Sequence, residues 1–429
     1  MKHTISSSLF SENRKRLAIQ LKPSSIAVCH SNDTMPTSAD GIMRFVQNTD
    51  LFYLTGIHQE ETILLLFPDA REAKYKEILF LRETSELIAT WEGKKLTKEE
   101  ARTISGIQTI YWTSEFLSIF RQLVFDCDHI YLNTNEHKRA VVEVETRDAR
   151  FVTYCKEQYP LHSYHRLAPF MHRLRTIKSV EEIRLMQQAC DLTEKGFRRA
   201  LKFIKPGINE REIVAEYAHE FIRHHGDFAD YQPIVASGVN ACVLHYHDND
   251  QVCQDGDLVL MDVGAGYCYY NADMTRVVPV NGRFSKRQKE VYNAVLRVMK
   301  TITRSMMPGK YWKDLQLETE QCVEKELVDL GLLPLDAIKK QDGQTPAFKK
   351  YFMHGVAHFL GLNVHDVGFF HEPLQAGTVL TCEPGIYIKE EGIGIRLENN
   401  ILITEKGPLD LMKHIPIEPD EIEDIMNRK

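Results

Sequence analysis

The 429-residue chain has no apolar run long enough to cross a membrane: the longest, Ile63–Phe67, falls far short of the ~18 residues a span needs. It has no C-x-x-C pair. Its nine cysteines, at positions 29, 127, 155, 190, 242, 253, 268, 322 and 382, are odd in number and scattered. That excludes a disulfide framework or a thiolate zinc site and fits a reducing cytoplasm, with most thiols acting as small buried hydrophobes. There is no long basic block, and 53 Lys+Arg against 60 Asp+Glu leave a net charge of −7, so electrostatic binding to nucleic acid has no support. The N-terminal stretch MKHTISSSLFSENRKRL lacks an apolar h-region, so no signal peptide is expected. What is present is ordinary globular composition, 43% apolar and 26% charged, which rules out a disordered or fibrous chain. The length predicts two or three domains.

Residues 1–172 read as an α/β domain with a mixed sheet. Ser24–Cys29, Thr62–Phe67, Ile78–Leu81 and His129–Leu132 are short aliphatic or β-branched runs, separated by charged helical patterns such as Glu12–Leu21. A second domain, residues 173–429, opens on the capping box Ser179-x-x-Glu182. It then repeats itself. A helix ends at Pro206-Gly207 and another, capped by Asn209, ends near Gly226; later a helix capped by Ser285-x-x-Gln288 ends at Pro308-Gly309 and another ends near Gly331. Each helix pair is followed by an apolar strand ending in a carboxylate: Leu258–Asp262, then Val379–Glu383.

Asp262 and Asp273 flank a Gly/Ala/Tyr-rich turn. A hairpin centred between Tyr267 and Cys268 would oppose them directly, with Cβ atoms about 4.5–5.5 Å apart. Glu383 and Glu398 stand in the same relation about Lys389-Glu-Glu-Gly392. Like charges opposed on a sheet repel, and burial would raise their pKa values unless a cation compensates. Two solvated edge hairpins would carry the same residues harmlessly. The apolar flanks Leu258–Met261, Val379–Cys382 and Ile401–Ile403 argue instead for burial. Four inward carboxylates favour a pair of divalent cations, and a histidine among them shifts the preference toward Mn, Co or Zn. His219-Glu220 begins a zincin motif that fails at Arg223. His354, His358 and His365 lie in an apolar, glycine-broken segment between the hairpins, and His245 precedes the first hairpin.

In their order, Asp262, Asp273, His358, Glu383 and Glu398 resemble the five-ligand dinuclear site of the creatinase/methionine-aminopeptidase ("pita-bread") metallopeptidases. Within that family the chain looks most like the Xaa-Pro aminopeptidases (aminopeptidase P). The motifs are Asn240-x4-His245-Tyr246, Met261-Asp262-Val-Gly264, Asp273-Met-Thr-Arg276, His354-Gly-x-x-His358-x-x-Gly361-x-x-Val-His365-Asp366, Glu383-Pro-Gly385-x-Tyr387 and Gly394-Ile-Arg396-x-Glu398-Asn399. Gln47-Asn48-Thr49-Asp50-Leu-Phe-Tyr53 resembles the family's first domain. Departures are small: Val46 stands where an arginine is usual, and Asn399 where aspartate is frequent.

The resemblance implies an α/β N-terminal domain followed by an α+β pita-bread catalytic domain with an internal pseudo-twofold repeat. It implies two divalent metal ions, Mn foremost with Zn, Co or Fe as alternatives, and a bridging water or hydroxide as nucleophile. Asp262 would chelate one metal, Asp273 and Glu398 would bridge both, and His358 and Glu383 would complete the second. Glu383 would take the water's proton. His354 and His365 would hydrogen-bond substrate or oxyanion, His245 would lie near the scissile bond, and Arg396 would neutralise excess negative charge. Tyr387 and Trp91 join the substrate-binding set, Trp91 by reaching a neighbouring subunit's site. The implied activity is removal of the residue preceding proline from a peptide, by a cytoplasmic homo-oligomer (dimer or tetramer). A prolidase shares the fold and the metals. A metal-free pseudo-peptidase or a creatinase-like hydrolase is disfavoured by the intact ligand set.

Overall fold

The computed structural model of the protein describes residues 5–134, 136–340 and 346–428, so the first four residues of the N-terminal stretch weighed above lie outside it. Contacts divide the chain into two units, Met1–Arg175 and Thr176–Lys429.

The first unit is built on a six-stranded mixed sheet. Its order is Thr109–Trp112, Glu77–Leu81, Ile63–Leu66, Ser25–His30, His129–Leu132 and Ser163–Arg166. Ser25–His30 and Ile63–Leu66 are buried along their whole length, as aliphatic runs covered on both faces must be. Ile26, Val28, Leu65 and Phe80 pack there against Phe116, Phe120 and Phe151. The two edge strands escape a reading based on apolar runs. Ser163–Arg166 is polar and has no fully buried residue, because an edge strand is paired on one side only. The first helix runs Ser7–Ala18, earlier than the Glu12 start expected, because the Ser6 side chain caps it by accepting from the Ser8 N–H.

In the second unit the helix pairs are Val180–Phe203 with Glu210–Arg223, and Lys286–Ser305 with Trp312–Asp329. Ser179 and Ser285 head their helices with closed capping boxes. Gly207 (φ 92°) and Gly309 (φ 86°) follow prolines in left-handed conformations, so both pairs turn on the same device. One three-stranded antiparallel sheet orders Ile234–Ser237, Leu258–Asp262 and Thr275–Pro279; a second orders Val379–Cys382, Asn399–Thr404 and Gly407–Asp410; a third, smaller one orders Tyr270–Asn271, Ala265–Tyr267 and Asp227–Phe228. Among the described residues no helix is long and apolar enough to cross a membrane.

The registers of the two hairpins differ in an instructive way. In the second, Cys382 pairs with Asn399 and Gly385 with Arg396, so Glu383 and Glu398 fall in register as expected. In the first, Asp262 pairs with Thr275, two residues beyond the expected Asp273. The turn centres on Cys268 and Tyr269, both at positive φ (50° and 72°), with Tyr267 opposite Tyr270. That is the backbone of a primed two-residue turn, a geometry usually signalled by Asn or Gly, and neither residue announces it. A slip of two preserves the face of the sheet. Both aspartates therefore still point the same way, on a diagonal. The bonds flanking Asp273 (Val263 N–H to Met274 O, Ala272 N–H to Ala265 O) bring it opposite Gly264.

Candidate metal centre

The four carboxylates arrive from strand ends. Asp262 closes the Leu258–Asp262 strand and Glu383 follows Val379–Cys382. Asp273 and Glu398 stand just ahead of the strands Thr275–Pro279 and Asn399–Thr404. His358 is docked onto the strand that ends beside Glu383: its N–H donates to Thr381 Oγ1 (3.1 Å), and the Thr381 N–H returns to its carbonyl (3.0 Å). One ligand atom each from Asp273, His358 and Glu398 fall within 4.8 Å of one another, and all three residues are buried. Asp262 and Glu383 lie beside that trio rather than within it. Asp262 Oδ1 shares the Tyr231 hydroxyl with Asp273 Oδ1 (2.8 and 2.9 Å), and Glu383 Oε1 is 3.8 Å from His358 Nε2.

The electrostatics call for a cation. Burial pushes the Asp262 carboxyl up despite Arg396, and pushes Glu398 well above the usual range, with Asp273 and Glu383 adding repulsion. Glu383 is pushed up to about 7, by burial first, against the pull of His358 and Arg396. His358 Nδ1 lies 3.0 Å from the Phe359 carbonyl, which only accepts, so the ring proton sits on Nδ1 and Nε2 is left to face Asp273 Oδ2 at 3.3 Å. A bare lone pair cannot face a carboxylate oxygen; a proton or a metal ion must lie between. Burial lowers the His358 pKa, but Asp273 and Glu383 outweigh it and hold it above its ordinary value. The decisive atom is Glu398 Oε1, which is buried without a hydrogen-bond partner. An orphaned carboxylate oxygen beside a second carboxylate and an imidazole nitrogen is what a metal ligand looks like when only protein atoms are considered.

Arg396 ties this cluster together. It is 4% exposed, no surface ion pair. Its Nη2 donates to Asp262 Oδ2 (2.6 Å), its Nη1 to the Tyr387 hydroxyl (3.0 Å), and its Nε to Thr275 Oγ1 (3.1 Å). Thr275 passes its own hydroxyl proton to Glu398 Oε2 (2.7 Å). Tyr387, its oxygen taken by Arg396, donates to His354 Nε2 (2.8 Å), while His354 Nδ1 donates to the Gly355 carbonyl (2.8 Å). Both ring nitrogens of His354 are thus engaged within the protein. Burial, then the Arg396 charge, pushes its pKa down to about 4, so the ring is neutral.

The remaining candidates are His365, His245 and Trp91. His365 is exposed, with its ring edge-on to His358 at 4.5 Å between centroids. His245 is exposed and stacks on His247. Trp91 belongs to the first unit, on the helix Glu86–Glu92, and is 82% exposed.

Known proteins match along nearly the whole chain. The family model for metallopeptidase family M24 covers residues 184–405, and that for the aminopeptidase P N-terminal domain covers residues 10–131. The chain belongs to metallopeptidase family M24. It is similar to the Xaa-Pro aminopeptidases of Haemophilus influenzae (36% identical, 97% of each chain covered) and Escherichia coli (34% identical, 98% of each). Among solved structures it resembles zinc-substituted E. coli aminopeptidase P in complex with product, at a TM-score of 0.88 and 34% identity, covering 100% of both chains.

The residues that sequence reasoning missed are ones that hold the candidate carboxylates in place. Tyr231 bridges two aspartates from a segment with no motif. Asn400 grips the backbone of Asp273 at both ends, donating to its carbonyl (2.6 Å) and accepting from its N–H (3.1 Å). The fully buried Arg276 donates to the carbonyl of Glu398 (2.8 Å) and to Asn399 Oδ1 (2.7 Å). Thr275 and Arg276 sit inside a quoted motif, so their positions were visible and their partners were not.

Proposed function

We propose that this chain is a metal-dependent aminopeptidase that releases the N-terminal residue of peptides with proline in second place. The observation that carries it is the orphaned Glu398 Oε1, buried beside Asp273 and His358, in a chain matched end to end by Xaa-Pro aminopeptidases. Asp262, Asp273, His358, Glu383 and Glu398 would hold two divalent ions, Mn foremost with Zn, Co or Fe as alternatives. Four carboxylates and one imidazole form an oxygen-rich, borderline donor set that suits such ions. When bound, the pair supplies a nucleophile at neutral pH and polarises the scissile carbonyl.

The protein's own residues do the rest. Glu383, ionised when the metals are bound, would accept a proton from the attacking water and return it to the leaving nitrogen. The neutral His354, fed by Tyr387 and backed by Arg396, fixes the Tyr387 hydroxyl. Arg396 donates to Asp262, opposing the burial that raises its pKa, and, through Thr275, orients Glu398. The exposed His245 and His365 are the substrate-facing donors. Proline has no N–H and a fixed φ, so a site must be shaped for it. We place the enzyme in the cytoplasm as a homo-oligomer (dimer or tetramer), with Trp91 lending substrate contact across subunits.

The test is a comparison of substrates. An Xaa-Pro-Xaa tripeptide should be cleaved much faster than the corresponding Xaa-Pro dipeptide. The reverse order would make the chain a prolidase.

A further inference from the structure

Glu210 opens the helix Glu210–Arg223, away from the ligand cluster, and is 0% exposed. A carboxylate so deeply buried must be compensated, and every donor it meets belongs to the strand and loop that flank His245. Its Oε1 accepts from the Ser237 N–H (2.6 Å) and the Ser237 hydroxyl (2.7 Å). Its Oε2 accepts from the Tyr246 hydroxyl (3.0 Å) and the Gln251 N–H (3.0 Å), and its own N–H donates to the Gln251 carbonyl (3.0 Å). Ser237 ends the strand beside Leu258–Asp262, and Tyr246 and Gln251 lie in the segment between the two strands. His245 stands immediately before Tyr246 and is exposed. One side chain therefore closes the segment from 237 to 251 at both ends. Asn249 ties its far end back to the strand, accepting from the Val235 N–H (2.7 Å) and donating to the His247 carbonyl (3.1 Å).

We infer that Glu210 is a positioning residue for substrate recognition: by gripping Ser237, Tyr246 and Gln251 it sets the place of the His245 imidazole relative to the bound peptide. The inference rests on the reading of His245 as a substrate contact, and the experiment separates the two. The gentlest perturbation is Tyr246→Phe, which removes one of four donors and leaves the aromatic ring in place. Glu210→Gln is the stronger one, because its amide N–H must face either the Gln251 N–H or the Ser237 donors.

The metal-loaded enzyme, its two variants, His245→Ala and the double variants are compared for kcat and KM on one Xaa-Pro-Xaa peptide, with bound metal and Tm measured on each. Tyr246→Phe should lower kcat/KM about three- to tenfold, chiefly through KM, with metal content unchanged. Glu210→Gln should act in the same direction and more strongly. In the His245→Ala background both substitutions should lose most of their effect, because what they position is gone. Equal effects in the two backgrounds, or a loss confined to kcat and metal content, would overturn the inference and make Glu210 a general structural group. Wild-type kinetics for His245→Ala would overturn it from the other side, by removing the substrate contact on which it rests.

Discussion

Removing the metals should make the stability of the chain depend on pH in a direction that the buried carboxylates dictate. Glu383 is held at about 7 against an ordinary 4.5. A carboxyl whose folded pKa is raised binds its proton more tightly when folded. Its contribution is therefore fully present below pH ~4.5 and is lost as pH rises through about 7. Between pH 5 and 8 that loss amounts to roughly 2–3 kcal/mol. In a unit of this size it corresponds to roughly 5–10 °C in Tm. His354, pushed down to about 4, acts with the opposite sign over the acid part of the range, and the shifted Asp262, Glu398 and His358 also contribute, so the raw Tm profile mixes them. The clean quantity is the difference between the wild type and Glu383→Gln, both stripped with EDTA and melted by scanning fluorimetry at pH steps. Glutamine does not titrate, and His354, Asp262, His358 and Glu398 are common to both proteins. The wild type should hold its advantage at pH 5 and lose those 5–10 °C relative to the variant by pH 8. A difference that stays flat, or moves the other way, would refute the argument that Glu383 is desolvated without enough compensating charge. With Mn restored, the trend should reverse, because the ions bind the ionised ligands and stabilise more as pH rises.

Other outcomes follow from single contacts. Asp273→Asn or Glu398→Gln should abolish turnover and reduce bound metal while leaving the far-UV circular dichroism intact; near wild-type activity in either would remove the bridging role. Tyr231→Phe deletes the hydroxyl shared by Asp262 and Asp273, and metal affinity by competition with a chelator should fall about tenfold, as loss of an outer hydrogen bond commonly does. Gly264→Ala would drive a Cβ to 1.9 Å from the Ala272 carbonyl oxygen, and chemical denaturation should show a loss of about 1–3 kcal/mol or more.

Much of this molecule was legible because it announces itself in short-range chemistry. Ser179, Asn209 and Ser285 mark helix starts by residue type, and the two apolar strands ending in carboxylates mark the hairpins. The second hairpin's register followed from Lys389–Gly392, where Gly392 takes the left-handed conformation that glycine allows. The first did not, because Cys268 and Tyr269 adopt positive φ without being residues that advertise it. Long-range partners were equally silent. Nothing in the order of residues says that Tyr231 reaches Asp262 and Asp273, that Asn400 holds Asp273, or that Arg276 holds Glu398 across 122 positions. Such partners depend on which backbone atoms the fold brings together, and a polar residue in an unremarkable segment gives no sign of it. The edge strand Ser163–Arg166 failed for a related reason, since with little to bury it needs no apolar run.

The central claim is that five side chains bind metal in order to cut before proline, and one assay confronts it directly. The chain is stripped with EDTA, dialysed and assayed by release of free N-terminal amino acid from an Xaa-Pro-Xaa peptide and its Xaa-Ala-Xaa counterpart, before and after Mn is added back. The expected result is no activity without metal, recovery as about two equivalents bind, and cleavage of the proline peptide alone. Full activity in the stripped protein, or metal-restored cleavage that ignores proline, would contradict it.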